Sequence, residues 1–409
     1  MAELGIRGPA APAVGRAAVA GAGAWGCCAA GSLGYALSTG LGPHRVWGAL
    51  AALAYAVVAL LTYAGAGRAE TVSAVAVGGA VVLPLAVLVA GGRGQLEVAV
   101  VERSGARLLA TGSPYVADPA TVADVNPYLP GTALFGALPG DPRWWTAGVF
   151  VACVAAAASG VRSWWLVACP VVALPAAVGG VDLPVVGLMC LGLVWAGRGR
   201  AVGGGLLLGA AACLKWTGWP GIVVGAVLAA SAGRARAGDG LRAAPSLIGA
   251  GPRRAGATGR YGSAAPDARV HRGAGTRLVL TALGVVAVGV GPVALGAPHA
   301  LYDNVVRFPL GLGELASPAD SPLPGRLLAT HVDGGAGLAV ALLALAAVAV
   351  AGSLAVRPPG TVRAAADRLA VGLGAAMLLM PASRFGYLVY PLVLWAVPRC
   401  ADRRQGVRA

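Results

Sequence analysis

Two glutamates, Glu97 and Glu102, stand at the front of a polar island in a chain that otherwise runs on Ala, Val, Leu and Gly. The island spans Gln95 to Arg143 and holds five of the sixteen acids: Glu97, Glu102, Asp118, Asp124 and Asp141. Carboxylates beside aromatics and a few cations suit transfer of a group from a lipid carrier. One carboxylate takes a proton from an attacking hydroxyl. Cations or other donors then stabilise the departing phosphate. Glu97 or Glu102 fits the first role; Lys215, Arg307 and Arg384 fit the second. A second polar segment carries His299, Asp303, Asn304, Arg307 and His331, and its Ser-Pro punctuation (Ser317-Pro318, Ser321-Pro322, Pro324) predicts an ordered lid. Its two histidines are too far apart to suggest a metal centre.

The elements that must hold these groups are set by lipid. The chain has 409 residues, 57% hydrophobic and 11% charged, against about 25% charged in an ordinary soluble domain. An integral membrane protein follows. The net charge of +15 would suggest nucleic acid in a soluble chain; here it poses the question of which side the arginines face, and no nucleic-acid partner is expected. The seven cysteines form no pattern and read as small buried hydrophobes. A cleaved signal peptide is not expected, because Val14 to Thr39 is followed at once by further apolar segments.

A crossing helix needs about 20 apolar residues. That ruler predicts an all-α protein with about twelve transmembrane helices, near 15–39, 45–65, 70–91, 145–161, 164–179, 182–197, 201–214, 217–232, 278–296, 336–356, 366–381 and 385–399. The segment 201–232 also reads as one bent helix, broken at Lys215-Trp216-Thr217-Gly218-Trp219-Pro220. Gly233 to Arg277 carries nine arginines against two aspartates and reads as a disordered cytoplasmic loop. With it, Gly197–Arg200, the basic tail 400–409 and both termini inside, twelve spans place ten of the sixteen acids outside. The organisation is then an N-terminal module, 1–232, with outer loop 93–143; the loop 233–277; a C-terminal module, 278–399, with outer loop 297–335; and the tail.

Within the first outer loop, Val98, Val101, Gly105, Leu108 and Leu109 share one helical face, with Arg103 and Arg107 opposite. An amphipathic helix lying in the membrane interface is expected, with Glu97 and Glu102 at the borders of its apolar face. Gly112-Ser113-Pro114-Tyr115 turns the chain, and Asn126-Pro127-Tyr128-Leu129-Pro130 forms a second rigid turn. Asp182 begins a span, where capping a helix and contacting substrate are both open. For Lys215, snorkelling to the interface and binding phosphate are both open; for Arg384, a local salt bridge competes with an anion ligand. The glycines Gly205 and Gly209 match a close-packing spacing that is common in so Gly-rich a chain.

The pattern Glu97-x10-Leu108-Leu109-x2-Gly112-x-Pro114-Tyr115, followed by Asn126-Pro127-Tyr128-Leu129-Pro130, resembles the first outer loop of C-type polytopic glycosyltransferases. It is most similar to glycosyltransferase family 87, the polyprenol-phosphate-mannose-dependent mannosyltransferases. GGVDLP around Asp182, Leu214-Lys215-Trp216 and SRFGYLVYPLVLW from Ser383 add to the resemblance. The chain departs from it in Glu97 for the usual Asp, Val101 for a common Tyr, and the lack of Asn before Asp182. The resemblance implies sugar transfer from a polyprenyl-phosphate donor to a glycan or glycolipid acceptor outside the cell membrane, without a cofactor. Whether a divalent ion assists stays open. Glu97 would be the base, Arg384 and Lys215 would hold phosphate, and Tyr115, Asn126, Tyr128 and Tyr387 would shape the head-group pocket. The alternatives from other classes are a transporter or lipid flippase, disfavoured by the scarcity of charge inside the spans, and a non-catalytic membrane protein.

Overall fold

A computed structural model describes residues 16–158, 161–243, 273–315, 317–319 and 321–402. Every regular element among them is helical. They are α1 (Arg16–Ser38), α2 (Gly42–Tyr63), α3 (Ala69–Val77), α4 (Leu83–Ala90), α5 (Leu96–Thr111), α6 (Ala133–Ala137), α7 (Pro142–Ala157), α8 (Val161–Val167), α9 (Pro170–Val178) and α10 (Asp182–Gly197). There follow α11 (Ala201–Leu214), α12 (Trp219–Ala243), α13 (Ala274–Gly296), α14 (Pro298–Tyr302), α15 (Pro324–His331), α16 (Gly335–Val356), α17 (Val362–Leu379) and α18 (Val389–Asp402).

Among the described residues, six stretches are long and apolar enough to cross a membrane: Ala17–Ser38, Gly42–Tyr63, Ala69–Ala90, Trp216–Gly233, Ala274–Gly296 and Gly335–Val356. Asp182–Gly197 and Ala201–Leu214 are apolar but shorter. At about 1.5 Å per residue, the sixteen-residue α10 reaches only about 24 Å. The basic loop expected from Gly233 is partly helical, since α12 continues to Ala243; the rest of it, 244–272, lies outside the described residues, as does the tail from 403.

The chain forms two compact units. The first takes in Met1–Gln95 and Trp164–Val178, the second Leu96–Ser163 and Gly179–Ala409. In the first, α3 runs through a π-helical turn, Gly78–Val82, into α4. Pro84 has no N–H to offer the carbonyl of Ala80 one turn back. The Trp47 indole donates to that carbonyl instead, at 2.9 Å. Trp25 stacks on Tyr55 at 5.7 Å and meets Trp165 edge-on at 6.0 Å.

The second unit is built around α10, which is apolar on every side and buried along most of its length. A helix with no polar face must be enclosed, and α7, α11, α12, α17 and α18 pack around it. Gly205 and Gly209 let α11 approach α13 closely: a Cβ at Gly205 would meet the Leu278 carbonyl at 2.6 Å, and one at Gly209 the Ala282 carbonyl at 2.7 Å. The common spacing is therefore a real contact here.

Candidate functional site

The helix-break expectation is met at Lys215. α11 ends at Leu214, Lys215 is extended (φ −158°, ψ 150°), and a 3-10 turn, Trp216–Gly218, leads into α12. A broken helix leaves carbonyls without partners. The polar segment 95–143 supplies them: Leu129 N donates to the Leu214 carbonyl at 3.1 Å, and Thr132 Oγ1 donates to the same oxygen at 2.7 Å. On the other side of the break, the Trp216 indole donates to the Val305 carbonyl at 3.0 Å. The interruption thus ties the two polar segments, 95–143 and 297–335, to the helix ends.

The Lys215 side chain lies in a built environment rather than snorkelling. Its Nζ is 2.6 Å from Asp182 Oδ1, with the two side chains 14% and 11% exposed. The rings of Tyr387 and Tyr128 lie 4.5 and 5.4 Å from the ammonium, a cation–π arrangement. Burial, the largest influence, pulls the Lys215 ammonium down, but Asp182, Tyr387 and Glu97 together outweigh it and the net displacement is upward, so it stays charged. Asp182 does not cap α10, whose N-cap is Val181 with no side-chain cap. Its Oδ1 also accepts from Tyr390 OH at 2.7 Å, and Tyr390 OH accepts from Thr217 Oγ1 at 2.7 Å.

The second ion pair joins Arg384 to Glu97, residues 287 positions apart. The expected local salt bridge of Arg384 is therefore a long-range one. Arg384 sits in a segment fixed by Ser321, whose N donates to the Ser383 carbonyl at 3.0 Å and whose Oγ accepts from Phe385 N at 3.1 Å. Burial pushes the Glu97 carboxyl above the usual glutamate range; Arg384 opposes that rise without cancelling it. Asp182 and Lys215 also act on it electrostatically, which places the two ion pairs in one cluster. Tyr128 is almost fully buried, and burial pushes its phenol well up, so it remains a neutral donor.

Glu97 is presented by α5, whose buried face is Val98, Val100, Val101, Ser104 and Gly105. That face meets α6 so closely that a Cβ on Gly105 would lie 2.1 Å from the Gly136 carbonyl carbon, and one on Gly136 2.0 Å from the Val101 oxygen. Leu109, expected on the apolar face, is 74% exposed. The arginines opposite pin the rest of the loop: Arg103 donates to the Ala123 carbonyl and Arg107 to that of Tyr115 at 3.3 Å.

Four expected site residues lie elsewhere or serve the scaffold. Glu102 is exposed on α5 and interacts with Asp141 and Arg143. Tyr115 is buried with Leu129, Val293, Ala300 and Val305, its OH donating to the Tyr128 carbonyl at 2.8 Å. Asn126 Oδ1 accepts from Tyr128 N at 3.1 Å, an Asx turn that spends its side chain on the loop. Arg307 pairs with Asp303 at 3.6 Å and is half exposed. Glu97, Tyr128, Asp182, Lys215, Arg384 and Tyr387 do converge. Tyr390 and Thr217 join them without having been singled out; the SRFGYLVYPL motif contained Tyr390, but nothing in its spacing marks it. Among the described residues, no group of three or more His, Cys, Asp or Glu could hold a metal.

Comparison with family models, curated proteins and solved structures finds no match to this chain.

Proposed function

We propose that the chain is a multi-spanning membrane glycosyltransferase of the C-type class that moves a sugar, most simply mannose, from a polyprenyl-phosphate donor to an acceptor hydroxyl at the outer face of the cell membrane. The observation that carries this reading is the cluster of two carboxylates and two cations, Glu97–Arg384 and Lys215–Asp182, roofed by Tyr128 and Tyr387 at a helix break. Twelve crossings with both termini inside agree with the basic segments, and put this cluster outside.

At rest the four charges cancel. A donor phosphate competes with Glu97 for the Arg384 guanidinium, and Lys215 has two further N–H groups beyond the one on Asp182. Release from Arg384 leaves Glu97 a carboxylate in a poorly solvated setting, where its proton affinity is high. The acceptor oxygen attacks the anomeric carbon, and the bond from that carbon to the phosphate oxygen breaks with inversion. The bonding pair leaves on the phosphate, held by Arg384 and Lys215, and the hydroxyl proton passes to Glu97.

The test is transfer of labelled mannose from polyprenyl-phosphate mannose in membranes expressing wild type, Glu97→Gln and Glu102→Gln at matched protein levels. Loss of a general base costs about 10²–10⁴-fold. The reading expects that loss for Glu97→Gln and near-normal transfer for Glu102→Gln. It fails if wild type transfers no sugar, or if Glu97→Gln transfers as well as wild type.

A further inference from the structure

Apart from the ion-pair cluster, a concavity opens where the two polar loops meet. It is lined by Asp118 and Val125 of the first loop and by Asp303, Arg307, Phe308 and Glu314 of the second, with a volume of about 390 Å³. Its frame is rigid, because the fully buried Asn304 brackets both loops. Asn304 Oδ1 accepts from Asn126 N at 2.8 Å, and Nδ2 donates to the carbonyls of Val116 at 3.0 Å and Ala300 at 2.9 Å. Buried Val125 and Phe308 contribute apolar surface, while the lining carboxylates outnumber the single guanidinium three to one.

That mixture is wrong for a phosphate, which three carboxylates would repel. It suits a neutral polyol. Carboxylates accept from neighbouring hydroxyls, a guanidinium donates to ring and hydroxyl oxygens, and an apolar floor takes the C–H face of a sugar. The cleft is also near the ion-pair cluster. Val125 and Tyr128 are three residues apart, so their backbones are separated by at most about 11 Å, and Tyr128 flanks Lys215.

Building on the transferase reading, we propose that this cleft binds the acceptor: a neutral saccharide, held by Glu314, Asp303 and Arg307 with its reacting hydroxyl toward Glu97. Arg307 then belongs to acceptor recognition and not to the donor phosphate.

The full-length protein in detergent is assayed with polyprenyl-phosphate mannose and octyl α-mannoside, measuring KM for each, and octyl α-mannoside binding is followed separately by saturation-transfer NMR without donor. Glu314→Gln and Arg307→Gln each remove a hydrogen bond to a charged group, and the expected result is about a tenfold rise in acceptor KM. Donor KM should be unchanged and the saturation-transfer signal weakened. Asp333→Asn, exposed and not a lining residue of the cleft, is the control expected to match wild type. Active variants with unaltered acceptor KM and NMR signal overturn the cleft while leaving the transferase reading intact. A rise in donor KM alone for Arg307→Gln also overturns it. Cleft-dependent mannoside binding with no transfer by wild type overturns the transferase and leaves a saccharide-binding cleft.

Discussion

Replacing Asp182 by Asn strands a charged lysine, and the cost measures how far Lys215 has left water. Unit charges about 2.6 Å apart attract by roughly 6 kcal/mol at an effective dielectric of about 20. Desolvation of both ions offsets part of that, and breaking a buried pair from one side typically costs about 3–5 kcal/mol. An exposed pair would cost about 0–1 kcal/mol. With both side chains under one-sixth exposed, the buried figure applies. Asp182→Asn is therefore expected to lose about 3 kcal/mol or more. Asp182→Asn/Lys215→Met should recover much of it, because no unpaired charge is left, giving a coupling of about 2 kcal/mol or more between the sites. The assay is unfolding by sodium dodecyl sulphate in mixed micelles, followed by helicity, for wild type, both single variants and the double variant. A coupling below about 0.5 kcal/mol would refute the reasoning, since Lys215 would then be solvated at the membrane edge.

Two further outcomes are expected. Burial raises the Glu97 carboxyl with Arg384 opposing, so the fold binds its proton more tightly than the unfolded chain does: this group's contribution to stability is full below the ordinary glutamate range and is lost as pH rises through the raised value. On the proposed role of Glu97 as the base, activity runs the other way, since a base must be ionised. The acid limb of the transfer rate should fall above the ordinary glutamate range, and Arg384→Gln should move it further up; an unshifted limb, or a downward move, contradicts this, as read from rate against pH. Gly105→Ala drives a methyl into the Gly136 backbone and should cost about 1–3 kcal/mol or more, seen as a lower unfolding midpoint, whereas Ala106→Gly on the exposed side should cost only about 1 kcal/mol.

Six of the twelve expected spans are helices of membrane length among the described residues, legible because such apolar runs need only local reading. The break at Lys215 was legible too, since Trp-Thr-Gly-Trp-Pro cannot continue a helix smoothly. Pairings were not. Asp182 at a helix start looks the same in sequence whether it caps or meets a lysine 33 positions on, and Tyr390 differs from a lipid-facing tyrosine only through the Asp182 it reaches. The bonding of polar residues in the first loop was hidden for the opposite reason. A turn-rich loop must satisfy its own buried backbone, and Tyr115 and Asn126 are consumed by that task.

The borrowed hydrogen bonds at Leu214 carry a consequence for biogenesis. Thr132 must wait for a carbonyl made 82 residues later, roughly 4 to 16 seconds at ordinary elongation speed. Asn126 waits across 178 residues for Asn304, and Glu97 across 287 for Arg384. The first loop is therefore translated and delivered long before anything can close it. Ribosome-bound chains released before Arg384 emerges should carry Glu97 without its partner, so the ion-pair cluster is completed only by the segment that begins at Ser383, and a nonsense mutation ahead of it removes the cluster as surely as a change within it.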